Sequence, residues 1–403
     1  MKINIRGSFA VVVATAGLFA SLSIPAGATT VKLDPILASD TQLSTTATVA
    51  SAGATFDTPF FSAAYPIYAS RTHNATVGAY GAGGSGAGQT AIMSNTADFA
   101  ASDVPLTQAN IDAATTISSR GTLASYVQVP VALGGVAIAF HNTAITTNKL
   151  YKANGFIVTS AILAKIYTGA ITKWNDSAIC AANVKWRVKN ACALPNATIT
   201  VVGRSDSSGT TYIFRDYLHT AQPLIVTAAP SKSTFVTSTN GFVGGSGNQG
   251  VATNLENTNG SLGYVEYSYV LLNKSLDAAL VVNAANKAVA INQAGIAAAA
   301  ATKPSVDSTN FSIVNASGAT SYPISGYSWV MLRKASAASS LAQAQLTVKL
   351  VDWLAHSAPA KSGLTFGQDV ATQQGYVALP TAAQNVTRNA LKTITYNGAQ
   401  VLK

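Results

Sequence analysis

The sequence predicts an α/β fold, because short β-type runs repeatedly give way to helix starts along the chain. ATVGAY, residues 75–80, leads into a glycine loop and then a helix carrying Ile92 and Met93. VPVALGGVAIAF, residues 129–140, is an apolar β-type run broken by a glycine pair, and ITVVGR, residues 199–204, precedes a helix that starts near Thr210. With 403 residues and 48% hydrophobic content, the chain can fill the cores of two or three domains. No repeat of fixed period is visible.

From the N-terminus, Lys2 and Arg6 precede an apolar run over residues 9–22, and Ala26-Gly27-Ala28 supplies a small-x-small cleavage pattern. Residues 1–28 are therefore expected to be a secretory signal peptide, with the mature chain starting at Thr29. The apolar run is too short to be a membrane span, which needs about 20 residues, and Thr15, Gly17 and Ser21 break it. Low-complexity sequence continues to about residue 46. TATVASAGATF, residues 46–56, then predicts one strand running into a turn, and Thr58 caps a helix with Pro59 at its first position. A second helix is expected over residues 160–169, with Ser160 as cap, Ile162, Leu163, Ile166 and Tyr167 on one face, and Gly169 as stop. The Ala-rich segment around residues 285–302 is expected to be helix or loop in a variable insertion.

Only 10% of residues are charged, and the net charge of +10 falls by two when Lys2 and Arg6 leave with the leader. The basic residues are scattered, which describes a mildly anion-attracting surface and argues against nucleic-acid binding. Cys180 and Cys192 are the only cysteines. In an oxidising compartment they are expected to form a disulfide, and without nearby histidines they make a poor zinc site.

GAGGSGAGQT, residues 81–90, matches two phosphate-loop patterns, but Gln89 stands where a nucleotide P-loop has its lysine. Gly245, Gly247 and Gly250 repeat one of the patterns, which shows how little it specifies alone. Outside the cytoplasm nucleotide partners are scarce, and the loop needs another reading. Four stretches share a design in which a strand ends and small hydroxyl or glycine residues follow: GATF (53–56), GGSGAG (83–88), ASD (101–103) and GRSDSSGT (203–210). All but ASD open a helix. Helix N-termini present unpaired N–H groups and partial positive charge, so they hold oxyanions without a lysine. Taken singly, each Ser or Thr is a helix cap, Arg204 beside Asp206 is a local ion pair, and Asp103 caps a helix suggested by residues 107–111. Taken as a set, they favour an anion site.

The set also resembles a family. GATF, YGAGGSGAG, ADFAASDVPLT, KIYTGAITKWND, VVGRSDSSGTTYIFRDYL, GNQGVATNLENTNGSLGYVEYSYV and YPISGYSWVML are similar, in order and spacing, to motifs of the periplasmic phosphate-binding receptors of Pst-type ABC importers. The resemblance runs from about Ser51 to Trp353. It implies a two-lobed type II periplasmic binding fold, with residues 29–134 plus 325–403 as lobe 1, residues 135–324 as lobe 2, and phosphate in the cleft between them. By motif position, the ligand donors would be Thr55, the Phe56 N–H, Ser85, Arg204, Ser208, the Gly209 N–H and Thr210. Asp103 would be the one acceptor, and Asp206 would hold Arg204 in place. The implied partners are inorganic phosphate and the membrane permease of an ABC phosphate importer, for a periplasmic monomer that uses no cofactor or metal. Gln89, Thr90, Ser207 in place of a usual glycine, Pro66 interrupting the first helix, the Cys180–Cys192 stretch and residues 275–318 depart from the family pattern.

Other functions compete. A serine hydrolase would want the Gly-x-Ser-x-Gly elbow, which is absent at Ser85, Ser208 and Ser246, and a base from His73, His141, His219 or His356, none of which lies in the anion motifs. Metal-dependent phosphatase chemistry lacks its His and Asp clusters. The expectation is a binding protein and not an enzyme. A phosphate-binding extracellular protein without a transport role, or a receptor for sulfate or molybdate, remains an alternative on the same scaffold.

Overall fold

The computed structural model describes residues 42–188, 191–235, 241–359 and 363–402. The expected leader and the first residues assigned to lobe 1 lie outside the described residues. Among the described residues, no helix is long and apolar enough to cross a membrane.

The strands that position the site are β1 (Gln42–Val49), β2 (Ser51–Gly53), β3 (His73–Val77), β4 (Phe99–Ser102) and β5 (Tyr126–His141). They continue with β6 (Thr200–Arg204), β7 (Val243–Gly245), β8 (Ser261–Glu266), β9 (Asp277–Ala278) and β10 (Ser325–Arg333). All but β1 and β3 lie on one hydrogen-bonded path, β7-β6-β8-β5-β10-β4-β2, with β9 beside β5. Helices α1 (Thr58–Ala69), α2 (Ser85–Met93), α3 (Ser160–Tyr167), α4 (Gly209–Ala221) and α5 (Gly247–Asn257) follow strand ends or pack beside them.

The fold is two-lobed because β5 serves two sheets in turn. Its first part pairs antiparallel with β10, from Arg333 opposite Tyr126 to Ser325 opposite Gly135. Its second part pairs antiparallel with β8, from Glu266 opposite Val136 to Ser261 opposite His141. The partner therefore changes directly after the Gly134-Gly135 pair that interrupts the apolar run. Val129, Val131, Leu133, Val136, Ile138 and Phe140 are all wholly buried. A strand covered on both faces reads as a continuous apolar run and not as an alternating one. Pro130 has no N–H to give a ladder, and the pairing accommodates it with a register shift: Ser328 faces Ala132, but Trp329 faces Pro130.

Within each lobe the strands that lead to the site are parallel. β2 pairs with β4, and β6 pairs with both β7 and β8. Their carboxyl ends are where open α/β sheets place ligands, because the helices that follow begin there.

Several local expectations change in the structure. Residues 46–56 are not one strand: β1 pairs in parallel with β3, and β2 pairs with β4. Between them the Ala50 N–H donates to Asp98 Oδ2 at 2.8 Å. The N-cap of α1 is Asp57 and not Thr58, and its side chain makes no capping bond. Pro66 does not interrupt α1, which continues to Ala69. Ser62 and Pro66 are exposed, so water can meet the carbonyl that proline leaves without a donor. The cap of α3 is Thr159, whose hydroxyl accepts the Ile162 N–H at 3.2 Å. The Ala-rich segment contains a helix, Gln293–Ala301.

Cys180 and Cys192 form a disulfide, linking a short helix (Ser177–Ala182) to a two-residue strand (Ala191–Cys192). The stretch is less loop-like than its sequence suggests. Trp186 is buried inside the closed loop and donates its indole N–H to the Gly155 carbonyl at 2.9 Å. Closing a loop of this size restricts the unfolded chain, worth about 2–3 kcal/mol. Replacing both cysteines with alanine should lower the urea midpoint accordingly, and an unchanged midpoint would show that the bridge contributes nothing to stability.

Candidate functional site

Each predicted site residue sits where a strand ends or a helix begins. Thr55 and Phe56 follow β2 and lead into α1, Ser85 opens α2, and Asp103 follows β4. Arg204 closes β6, Ser208 is the N-cap of α4, and Gly209 and Thr210 form that helix's first turn. Hydrogen bonds between segments remote in sequence bring these residues together. Gly209 N–H donates to Ser85 Oγ at 3.1 Å, as does Asp103 N–H at 3.2 Å. Thr210 Oγ1 donates to Asp103 Oδ2 at 3.4 Å and lies 3.4 Å from Arg204 Nη1. Phe56 is wholly buried, and its carbonyl accepts the Tyr376 hydroxyl.

These bonds set what each hydroxyl can offer. A hydroxyl has one proton and two lone pairs. Both Ser85 lone pairs are taken by N–H donors, and both Thr55 lone pairs are taken by Asn248, through its backbone N–H at 3.0 Å and its Nδ2 at 3.1 Å. What each retains is a proton to donate. Ser208 Oγ accepts the Thr211 N–H at 3.1 Å as a helix cap and keeps its proton as well. Thr210 Oγ1 accepts from Arg204 and from Asn248 Nδ2 at 3.2 Å, which turns its own proton toward Asp103.

Arg204 is almost wholly buried and makes a two-pronged pair with Asp206, Nε to Oδ1 at 2.6 Å and Nη2 to Oδ2. Asp206 also accepts the Gly247 N–H at 3.1 Å. Burial pushes Asp206 up, but the hydrogen bonds and charge of Arg204, with the Gly247 N–H, outweigh it and hold the carboxyl below its ordinary value. Two glycines make room for this packing. A Cβ on Gly84, whose φ is +90°, would lie 2.4 Å from Asp206 Oδ2, and one on Gly209 would lie 2.5 Å from both Asp103 Cβ and Ser85 Oγ. The glycine loop is thus shaped to close against the Arg204–Asp206 pair.

Asp103 does not cap the nearby helix. Thr107 does so, in a capping box with Asn110. Instead the Asp103 carboxyl is buried among polar groups, with Ser328 Oγ 3.0 Å from its Oδ1. Burial pushes it up to about 7, against the opposing pull of the Ser328 bond, the Arg204 charge and the Thr210 bond. Two further buried carboxyls flank it. Burial raises Glu266 to about 8 despite bonds from Ser268 and Tyr376, and burial and the Asp103 charge raise Asp57 well above its ordinary range.

Several groups at the site are not singled out in the sequence, although Asn248, Glu266 and Ser328 lie in stretches that carry the family resemblance. Asn248 lies in the GNQG stretch at the start of α5; it donates to Thr55 and Thr210, and its Oδ1 accepts the Glu266 N–H at 3.1 Å. Lys232 donates to Gln89, the residue in the position of the P-loop lysine, while Gln89 Nε2 donates to the Val104 carbonyl at 2.9 Å. Burial lowers the Lys232 ammonium to about 8. Ser328, Asp57 and Glu266 sit at ordinary strand and cap positions, and only tertiary structure shows which groups they face.

A family model described as a PBP superfamily domain matches residues 38–357. The phosphate-binding protein PstS of Xylella fastidiosa is 34% identical, over 82% of this chain and 81% of its own length. The phosphate-binding protein PstS of Haemophilus influenzae is 30% identical, over 86% of this chain and 92% of its own. Among solved structures, a phosphate-binding protein from Stenotrophomonas maltophilia has the same fold, with a TM-score of 0.60 at 19% identity, covering 86% of this chain and 94% of that one.

The buried carboxyls make stability fall with rising pH. Asp103 and Glu266 have ordinary values of 3.8 and 4.5, and folding raises them to about 7 and about 8. Between those limits the folded protein binds protons that the unfolded chain has released, so unfolding free energy decreases as pH rises. Three groups act oppositely, Asp206 below its ordinary 3.8, His356 below its ordinary 6.5 and Lys232 above about 8, so the carboxyl slope is read between about 6.5 and about 8. The melting temperature of the protein without added anion should fall by at least ~2 °C between weakly acid and weakly alkaline pH, with a shallower slope in Glu266→Gln. A melting temperature that rises over the same range would mean that these groups are ionised throughout.

Proposed function

The chain belongs to the PBP superfamily and, within it, to the PstS family of phosphate-binding proteins, and from that premise we propose that it captures inorganic phosphate between its lobes and delivers it to the permease of an ABC importer. The observation that carries the ligand class is the saturation of lone pairs: Ser85 and Thr55 each accept two N–H bonds and can only donate. A group of donor-only hydroxyls beside a buried guanidinium suits an oxyanion, which accepts at every oxygen. Thr55, the Phe56 N–H, Ser85, Arg204 and Ser208 are its donors; the Gly209 N–H and Thr210, whose protons point to Ser85 and Asp103, are donors shared between those partners and the ligand, and Asp103 is the acceptor for the ligand's own proton. Residues 29–134 with 325–403 form one lobe and residues 135–324 the other, a division supported by the change of partner along β5.

Binding without catalysis fits the same bonds. Ser85 has no lone pair free for attack, and the described imidazole contacts of His141, His219 and His356 go to the Glu256, Val226 and Asp352 carbonyls, not to the site. The protein acts in the periplasm after export, as a monomer.

Titration calorimetry tests both ligand and roles. The protein should bind one phosphate per chain, and Arg204→Ala should weaken binding by tens- to thousands-fold, since removing a buried hydrogen-bonded charge costs ~2–5 kcal/mol. A loss smaller than about threefold would remove Arg204 from the site. Selectivity depends on protons: phosphate near neutral pH carries at least one and donates it to a carboxylate, whereas sulfate only accepts. Asp103→Asn should therefore lower the phosphate-to-sulfate affinity ratio by about tenfold or more, as expected for a charged hydrogen bond of ~1.5–3 kcal/mol. An unchanged ratio would leave Asp103 a structural residue, and preferential sulfate binding by the native chain would favour the other-oxyanion reading.

A further inference from the structure

Asp57 occupies the N-cap position of α1, where an aspartate ordinarily accepts helix N–H bonds, yet it makes none. Its side chain turns inward and is wholly buried. Oδ2 lies 2.6 Å from Ser328 Oγ, and Oδ1 has no hydrogen-bond partner. The same Ser328 Oγ lies 3.0 Å from Asp103 Oδ1. One hydroxyl therefore stands between two buried carboxyls, and it has one proton to give. If both carboxyls were ionised, one of the two contacts would set an oxygen lone pair against a carboxylate at hydrogen-bond distance. At least one carboxyl must carry a proton and donate it to Ser328.

The surroundings decide which. Asp103 faces Arg204 and Asp206 and accepts a bond from Thr210. Asp57 faces Asp103 and Glu266, together with the phenols of Tyr65, Tyr80, Tyr269 and Tyr376, and among the described residues no cation. An unpartnered Oδ1 is tolerable as the carbonyl oxygen of a neutral acid and costly as half of a carboxylate.

We propose that Asp57 is held as a neutral acid whose O–H donates to Ser328, committing the Ser328 proton to Asp103 and so keeping Asp103 the ionised acceptor in the anion site. Asp57 is a positioning residue that acts through Ser328 and does not touch the ligand. No bond other than hydrogen bonds is made or broken, and the proton stays on Asp57. If Asp57 ionises at alkaline pH, it claims the Ser328 proton for itself and adds a second negative charge behind the anion site. This inference rests on the phosphate-binding reading for its consequence, but not for the protonation of Asp57.

Two measurements on the native protein, Asp57→Asn and Ser328→Ala test it. The first is infrared spectroscopy without added anion near neutral pH. The native protein should show a protonated-carboxyl C=O band with components from Glu266, from Asp57 and from the fraction of Asp103 that still holds its proton near its value of about 7. The Asp57 component should vanish in Asp57→Asn and move to higher frequency in Ser328→Ala, where its O–H loses its acceptor. The second is calorimetry with phosphate and with sulfate. Near neutral pH, Ser328→Ala should lower the phosphate-to-sulfate affinity ratio by about tenfold, because Asp103 loses a hydrogen bond to its charged form and protonates more readily. The ratio should recover at alkaline pH, as Asp103 ionises again. In Asp57→Asn the amide N–H replaces the acid O–H, so this variant should keep the ratio within about threefold of native and lose less phosphate affinity than the native protein as pH rises. Lys232 and Glu266 titrate in both proteins, so the difference between the two curves isolates Asp57. A band unchanged in Asp57→Asn, or a ratio that falls in Asp57→Asn as far as in Ser328→Ala, would overturn the proposal. Should Asp57→Asn fail to fold, the Ser328→Ala band shift still decides. A native protein that binds no phosphate would sink the proposed function, while the infrared result would still settle the state of Asp57.

Discussion

A hydroxyl has one proton and two lone pairs, and the cleft is organised around that limit. Ser85 takes N–H bonds from Asp103 and Gly209, and Thr55 takes two from Asn248. Asp103 lies on the same side of β5 as Ser85, but the Gly209 donor to Ser85 and both Asn248 donors to Thr55 lie far along the chain, on the other side of the β5 crossing. The hydroxyls are therefore fixed as donors only where the two lobes meet. Strand β5 matters functionally for this reason. By pairing first with β10 and then with β8, it holds the carboxyl ends of β2 and β4 close to those of β6 and β7.

The same limit governs charge. Arg204 and Asp206 together are neutral, and the pairing leaves only Nη1 of the guanidinium outside the two-pronged contact. An anion held beside such a pair depends on N–H and O–H dipoles more than on net charge. Buried carboxyls close by would work against it if all were ionised. Burial raises Asp57, Asp103 and Glu266 together, and the protons kept by Asp57 and Glu266 limit the negative charge around Asp103, which gives up its own at about 7. Asp103, the acceptor in the proposed site, is thus one of the groups that make the folded state sensitive to pH.

What was legible in the sequence follows from range. The α/β alternation, the glycine pair in β5 and the stretches that open helices are local patterns, and they place Thr55, Ser85, Arg204, Ser208, Gly209 and Thr210 at strand ends and helix starts. Asp103 was legible as a candidate but open as a cap, and only the Thr107–Asn110 box decides against that reading. The break between β1 and β2 was not legible, since one β-type run carries no mark of a change in partner strand. Asn248 and Ser328 escaped for a related reason. Ser328 meets Asp57 across a sequence separation of 271, and a serine in an apolar strand gives no hint of facing two carboxyls. The capping error at α1 is a shift of one residue: Thr58-Pro59 reads as a cap and first helical position, but the helix already includes Thr58, and Asp57 takes the cap position with its carboxyl turned to Ser328.

The glycine loop without its lysine shows how the fold replaces a missing local charge. Gln89 Nε2 donates to the Val104 carbonyl, so its Oε1 is the end left to face a cation. Lys232 supplies that cation from a segment after α4, 143 residues away. The Lys232 carbonyl also accepts the Ser208 N–H at 2.9 Å, directly ahead of the first turn of α4. A single residue thus ties the start of α4 to the body of α2. In a nucleotide P-loop the lysine belongs to the loop itself, and its charge is present whatever the rest of the protein does. Here the charge comes from a segment on the other side of β5 in the chain, so it reaches α2 only through tertiary structure. Burial lowers Lys232 to about 8, because an ammonium held in that position gives up part of its water.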